Sequence, residues 1–225
     1  MKVYEFRVDV TLNGSFHFQN APEIISKAIS SHLFQKGIDK YKEGKSFRYY
    51  VFSNFSKTKN KYCEKKNNFI FRTLRKDIFE AMLEFDEYKD KILKVDNIKI
   101  SYIKPKIIHE LITKNQAIIT IDRSKNKFFT LREKAQYLKF LNSNLLKKAE
   151  LFLNEKLENI NFIEEIEILN TAPYSFFYEG VRFMGYKFRI YPKQDELSQL
   201  LSFVALGAGL GEKNALVGAG FCEYR

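Results

Sequence analysis

The chain has 225 residues, 45% of them hydrophobic, with 22 Phe and 13 Tyr, which is more apolar material than a disordered chain carries and enough for one large or two small domains. A formal net charge of +11 favours a polyanionic partner, because lysines and arginines that displace counterions gain affinity without reading sequence. No run reaches the roughly 18 apolar residues that span a bilayer, and MKVYEFRVDV alternates charged and apolar residues where a secretory signal needs an unbroken apolar stretch, so neither insertion nor export is implied and a cytoplasmic location is expected.

Val3, Glu5 and Arg7 alternate with Tyr4, Phe6 and Val8, the period of a strand with one buried face over residues 2–11. Pro22 then opens a helical pattern of Ile24, Ile25, Ala28, Ile29 and Leu33 that Gly37 interrupts. The aromatic stretch Phe47 to Phe55 reads as a strand, Lys57 to Asn68 as an exposed loop, and Phe69 to Leu74 as the next strand. A helix over Asp77 to Tyr88, with Ile78, Met82 and Phe85 on one face, and a strand from Ile98 to Ile103 complete a split β-α-β…β-α-β order.

The second half reads as a looser copy of that order. Gln116 to Ile121 and Lys127 to Leu131 are expected as strands, Glu133 to Leu153 as a helix, and Glu165 to Leu169 as a strand. A hairpin fits Ser175 to Tyr191 with Gly180 near its turn, followed by a helix from Asp195 to Leu206 and a strand at Phe221 to Tyr224. The expected fold is α+β: two tandem ferredoxin-like (RRM-like) domains with antiparallel sheets, residues 1–112 and 113–225, packed closely because no proline- or glycine-rich linker separates them.

Five of the ten glycines, at 207, 209, 211, 218 and 220, fall within fourteen residues. Glycine admits φ > 0 and removes the side chain that would hold a phosphate away from main-chain N–H groups, so Gly209, Gly211, Gly218 and Gly220, with Lys213 and Asn214 between them, are candidates for contact with a nucleic-acid backbone. A tight turn before a final strand is the plainer reading. A Walker-type loop is disfavoured, because no Gly-Lys-Ser/Thr ending and no room for a following helix are present.

The run GLGEKNALVGAG resembles the C-terminal signature of the CRISPR-associated endoribonucleases that process precursor CRISPR RNA, in the repeat-associated mysterious protein superfamily, with about one extra residue, Val217. Glu23 to Ile29, leading to Phe47-Arg48-Tyr49-Tyr50-Val51-Phe52-Ser53-Asn54-Phe55, is similar to that family's first helix and following strand. Between about residues 56 and 190 the resemblance is one of element order alone. It implies two ferredoxin-like domains in tandem, a basic cleft for a CRISPR repeat in precursor crRNA, and cleavage with neither metal nor cofactor. It also admits CRISPR effector subunits as partners, and either a monomer or a homodimer.

Such cleavage uses the RNA's own 2′-hydroxyl, so the protein supplies a base, an acid for the leaving 5′-oxygen, and cations for the phosphorane. In the family a histidine typically follows the first helix in a Leu-His-x-x-Gly-like segment; here the matching residues are Lys40-Tyr41-Lys42-Glu43-Gly44-Lys45, with Tyr41 at the histidine's place. Three readings stay open. Tyr41, with Lys42, Lys45 and Arg48, forms a histidine-free site; or His32 projects into the cleft from the end of the first helix; or the protein binds RNA without cutting it. Tyrosine, with a pKa of about 10, is a poor base at neutral pH but can donate a proton.

His17 and His109 read as surface or packing residues, and three scattered histidines with two distant cysteines, Cys63 and Cys222, make neither a metal site nor a disulfide framework. Lysines 57, 59, 61, 65 and 66 read as a solvated loop within reach of phosphate. In the expected hairpin, Tyr174, Phe176, Phe177 and Tyr178 could stack on bases while Arg182 and Lys187 hold the backbone, although alternation assigns about half of such residues to a core. A basic membrane-surface protein is the competing class. The spread of the aromatics over strand-like segments, without one amphipathic helix, disfavours it.

Overall fold

The N-terminal alternation produces β1 (Val3–Leu12), which turns Phe6, Val8, Val10 and Leu12 into a core and leaves Arg7 exposed. Pro22 lies in the first turn of α1 (Ala21–Gln35), where its missing N–H would have no helical partner, and Gly37 at φ +77 follows the helix end. The computed structural model describes residues 1–38, 47–122, 127–128 and 133–225. The first half continues through β2 (Tyr50–Phe52), the small hairpin β3 (Thr58–Lys59) and β4 (Tyr62–Cys63), β5 (Lys66–Thr73), α2 (Lys76–Met82) and β6 (Leu93–Ile103).

Its sheet runs β2-β5-β1-β6, antiparallel throughout, with α1 and α2 packed on one face through Ile25, Ile29, Ile78 and Met82 against Phe6, Phe69 and Phe71. Several sequence boundaries shift. The strand expected over 47–55 narrows to three residues, the lysine-rich loop folds its centre into a hairpin, and the second helix ends at Met82 before a separate 3-10 turn at Phe85–Glu87.

The second half comprises β7 (Leu111–Thr113), β8 (Thr120–Asp122), β9 (Lys127–Phe128), α3 (Lys134–Leu153), β10 (Ile163–Ile168), β11 (Tyr174–Tyr178), β12 (Val181–Gly185) and β13 (Phe188–Pro192). It closes with α4 (Glu196–Ala208), the single-turn α5 (Asn214–Val217) and β14 (Cys222–Tyr224). The sheet order β10-β13-β7-β14 repeats that of the first sheet: the first strand of each unit lies between its third and fourth, and its second is at an edge. This is the split β-α-β arrangement twice over.

Two expectations in this half are corrected. The opening strand of the second sheet is Leu111–Thr113, whereas the segment expected as a strand, Gln116 to Ile121, mostly lies outside the main sheets. Ala117, Ile118 and Ile119 are apolar because they are buried between the hairpin and the glycine-rich loop, with isolated bridges to Tyr186 and to Gly211 and Glu212. The hairpin expected over 175–191 is divided. β11 and β12 pair through a two-residue turn, Glu179 at φ 48 and Gly180 at φ 77, while β13 leaves them to join β10 and β7.

Helix α4 ties the two sheets together. It is buried almost all round from Leu201 to Ala208 because strands of both sheets pack against it, and Val3, Leu74 and Ile103 of the first half share its core. Polar links cross the same junction. Arg72, 3% exposed on β5, donates from Nε to Glu5 at 2.7 Å and from its guanidinium to the Cys222 carbonyl, and lies 4.6 Å over the Phe221 ring. Asn115, also buried, donates from Nδ2 to the carbonyls of Phe52 at 3.0 Å and Gly218 at 2.8 Å.

Candidate nucleic-acid interface

Two concave regions flank the junction. The larger, about 500 Å³, is lined from the first half by Ser53, Asn54, Phe55, Asn68 and Ile70, and from the second by Lys114 to Gln116, Tyr174, Ser175 and Lys187. Lys187 stands 5.0 Å over the Tyr174 ring, which is 48% exposed; burial and the neighbouring Lys114 ammonium push the Lys187 pKa below its ordinary value. Lys114 itself pairs with Glu223 at 3.1 Å. Gln116, 1% exposed, leaves Nε2 without a hydrogen-bond partner among the described residues, an orphan donor beside an aromatic and two lysines. Such a lining can stack a base and hold its backbone.

The smaller region, about 330 Å³, is lined by Phe47, Arg48, Tyr49, Tyr50, Lys148, Lys213 and Asn214, with Ala208, Ala215 and Leu216. Its floor is the glycine-rich loop. The glycines here answer to packing. A Cβ on Gly220 would lie 2.0 Å from the Leu210 carbonyl oxygen, and one on Gly218 would lie 2.3 Å from that of Phe52; both residues hold positive φ. Gly209 and Gly211 are likewise buried, and the N–H groups of Gly209 and Gly220 already donate to the carbonyls of Ala205 and Gln116. An open cradle of glycine N–H groups is therefore not how this segment is arranged; its accessible rim is formed by Glu212, Lys213, Ala215 and Leu216.

A lysine that the sequence reading passed over holds the loop. Lys148 on α3 is 1% exposed, and its Nζ donates to the carbonyls of Gly209 and Gly211 and to Asn214 Oδ1, each at 2.7 Å. Burial pushes its pKa down to about 7, a shift that Cys222 and Glu212 partly offset. Asn214 completes the clasp by donating from Nδ2 to Leu210 at 2.9 Å and Ala219 at 2.7 Å. Lys213, between them, holds φ +61, an uncommon conformation for lysine, and its Nζ lies 5.7 Å over the Phe183 ring. The signal for Lys148 was present: it continues the stripe of Leu141 and Leu145 at positions i, i+4 and i+7, a charge where the helix demands a core residue.

Of the residues expected to act, Arg48, Lys213 and Asn214 share the smaller cavity and Lys187 lines the larger. Arg182 is exposed on β12 and lines neither. Tyr41, Lys42 and Lys45 lie outside the described residues; Phe47, the first described residue after them, lines the smaller cavity. His32 does not project into the cleft. It is 4% exposed, its Nε2 is 2.8 Å from the Ala81 carbonyl, and its ring packs 5.0 Å from that of Phe85, with burial pushing its pKa down. The reason is helical phase, since position 32 continues the buried stripe of Ile25 and Ile29. His17 packs against Phe18 and Tyr62, and His109 is exposed.

Two split β-α-β units of identical strand order, joined through a shared helix and a glycine-rich loop, make a double ferredoxin-like fold. Along its whole length the chain matches solved structures of Cas6 and related RAMP proteins. One is "CRISPR associated protein Cas6", with a TM-score of 0.70, 18% identity and 99% of each chain covered. Another is "An RAMP protein binding different RNA substrates", with a TM-score of 0.74, 16% identity and 99% of each chain covered. A third, the product of a Cas6-related gene from Pyrococcus furiosus, has a TM-score of 0.72 and 15% identity, with 99% of this chain and 98% of that one covered. No protein-family model and no curated protein matches the sequence.

Proposed function

We propose that this protein is a metal-independent endoribonuclease of the Cas6 type, which binds CRISPR repeat RNA and cleaves precursor crRNA. The observation that carries the reading is the small cavity lined by Phe47, Arg48 and Lys213, directly after the Tyr41–Lys45 segment in the chain, in a fold similar to that of solved RAMP proteins. The 2′-oxygen attacks the adjacent phosphorus and loses its proton to a base as the P–O5′ bond breaks. The 5′-oxygen takes a proton from an acid, leaving a 2′,3′-cyclic phosphate and a 5′-hydroxyl. Tyr41 is the acid in this reading; Lys42 and Lys45 with Arg48 stabilise the charge that develops on the phosphorane. The larger cleft receives unpaired nucleotides, with Lys187 on the backbone and Tyr174 against a base, while Arg182 meets the RNA outside it. The unit works in the cytoplasm, with CRISPR effector subunits as further partners.

Incubation of the protein with a repeat RNA in EDTA tests this. A 5′-hydroxyl product is expected, and Tyr41→Phe or Lys45→Ala is expected to slow its formation about 100-fold without weakening binding to the same degree. Full cleavage rates in both variants would remove the site assignment. A second reading, a non-catalytic CRISPR RNA-binding protein of the same superfamily, is favoured by one observation: among the described residues no histidine lines either cavity. RNA binding with no product under any condition decides for it.

A further inference from the structure

Lys148 has no role in the reaction just described, yet it is the most deeply buried charged side chain at the site and every proton of its ammonium has an acceptor. Three acceptors at one distance, two of them carbonyls from either side of Leu210, give the loop a single shape. A neutral amine has one proton fewer and must release one of the three. The same side chain lines the cavity that Arg48 and Lys213 make positive, so an anion entering there meets two surface cations and a buried one.

We propose that Lys148 is the positioning residue of this site: it holds the glycine-rich loop so that Lys213 and Arg48 line one cavity, and it takes up a proton when an RNA phosphate enters it. The inference rests on the RNA-binding reading above. The groups that face Lys148 are Glu212 in the loop and Cys222 on β14, which act on it through space, and Arg48, Tyr49, Tyr50 and Lys213, which line the same cavity. A bound phosphate adds negative charge to this cavity, so the Lys148 ammonium is favoured in the complex. With burial already holding the free group near pH 7, binding above that pH carries a proton with it. Affinity must then fall as pH rises through and beyond 7.

The measurement is calorimetric titration at pH 8, in two buffers of different ionisation enthalpy, with a 2′-O-methylated repeat RNA that lacks the nucleophile. The wild type is expected to take up most of one proton per RNA and to lose affinity by up to about tenfold per pH unit above 7. Lys148→Met is expected to bind at least tenfold more weakly, with no proton uptake and a flat profile. Lys148→Arg restores affinity and keeps the profile flat, because its charge is permanent. Equal proton uptake in the wild type and Lys148→Met, or none in a wild type that binds RNA well, overturns the inference while leaving RNA binding intact. No binding by the wild type at any pH overturns both readings. If Lys148→Met does not fold, Glu212→Gln decides: removing the carboxylate that favours the Lys148 cation shifts the affinity midpoint to lower pH, and an unmoved midpoint counts against the proposal.

Discussion

His32 and Lys148 are both ionisable side chains shut inside the protein, one between α1 and α2 and the other beneath the glycine-rich loop, and they differ in how many partners they meet. His32 has one hydrogen-bond partner among the described residues, the Ala81 carbonyl, and packs against the rings of Phe85 and Tyr88, with burial holding its pKa below the ordinary value. Lys148 meets three acceptors and lies against a cavity. A buried polar group with one partner completes a core, whereas one with a full set of partners organises the chain around it. The helix side of the molecule therefore closes a core, and the loop side shapes a cavity.

The largest expected effect falls on the loop itself. Gly220→Ala places a Cβ against the Leu210 carbonyl at a residue with φ +66, and should destabilise the protein by about 4 kcal/mol in denaturant unfolding, the sum of overpacking and backbone strain. Gly37→Ala, at φ +77 in open space, should cost only about 1 kcal/mol. Equal losses at the two sites would mean that the glycine cluster is not set by packing.

Next comes the rim of the cavity. Arg48→Ala with Lys213→Ala should leave unfolding unchanged and weaken repeat-RNA binding on the order of 100-fold, lowering the salt slope of log K by roughly 1.5, as expected for two lost phosphate contacts on a single strand. A slope equal to that of the wild type would put the RNA elsewhere.

The smallest effect is expected on the helix side. His32→Leu should cost about 1 kcal/mol for one lost buried hydrogen bond and leave RNA affinity within a factor of two. It also tests the acid limb. The folded pKa of His32 lies below the ordinary 6.5, so as pH falls below 6.5 the unfolded chain takes a proton that the folded chain refuses, and stability is lost. His32→Leu should lose less stability over that window in pH-dependent melts. A drop in cleavage without a drop in stability would return His32 to the reaction.

Much of this architecture was legible in the residues. Alternation in β1, the Pro22-to-Gly37 span of α1 and the Asp195 cap of α4 are local signals, because period and capping depend on neighbours a few positions apart. Leu111–Thr113 was not legible, since three residues cannot declare a period and their ladder partners come from β13 and β14. Gln116 to Ile121 misled for the opposite reason: it is apolar enough for a strand but is buried by other means.

By itself the sequence determined the α+β order, the positive charge and the crowding of glycines at the C-terminus, all of which follow from composition and short-range pattern. Only the tertiary structure decided what those glycines are for. Their closest neighbours include Phe52 and Ile118, and the ammonium that clasps two of them comes from 61 and 63 positions away. Close approach of one backbone to another, and the burial of a charge among carbonyls, are properties of packed surfaces that no local stretch of sequence contains.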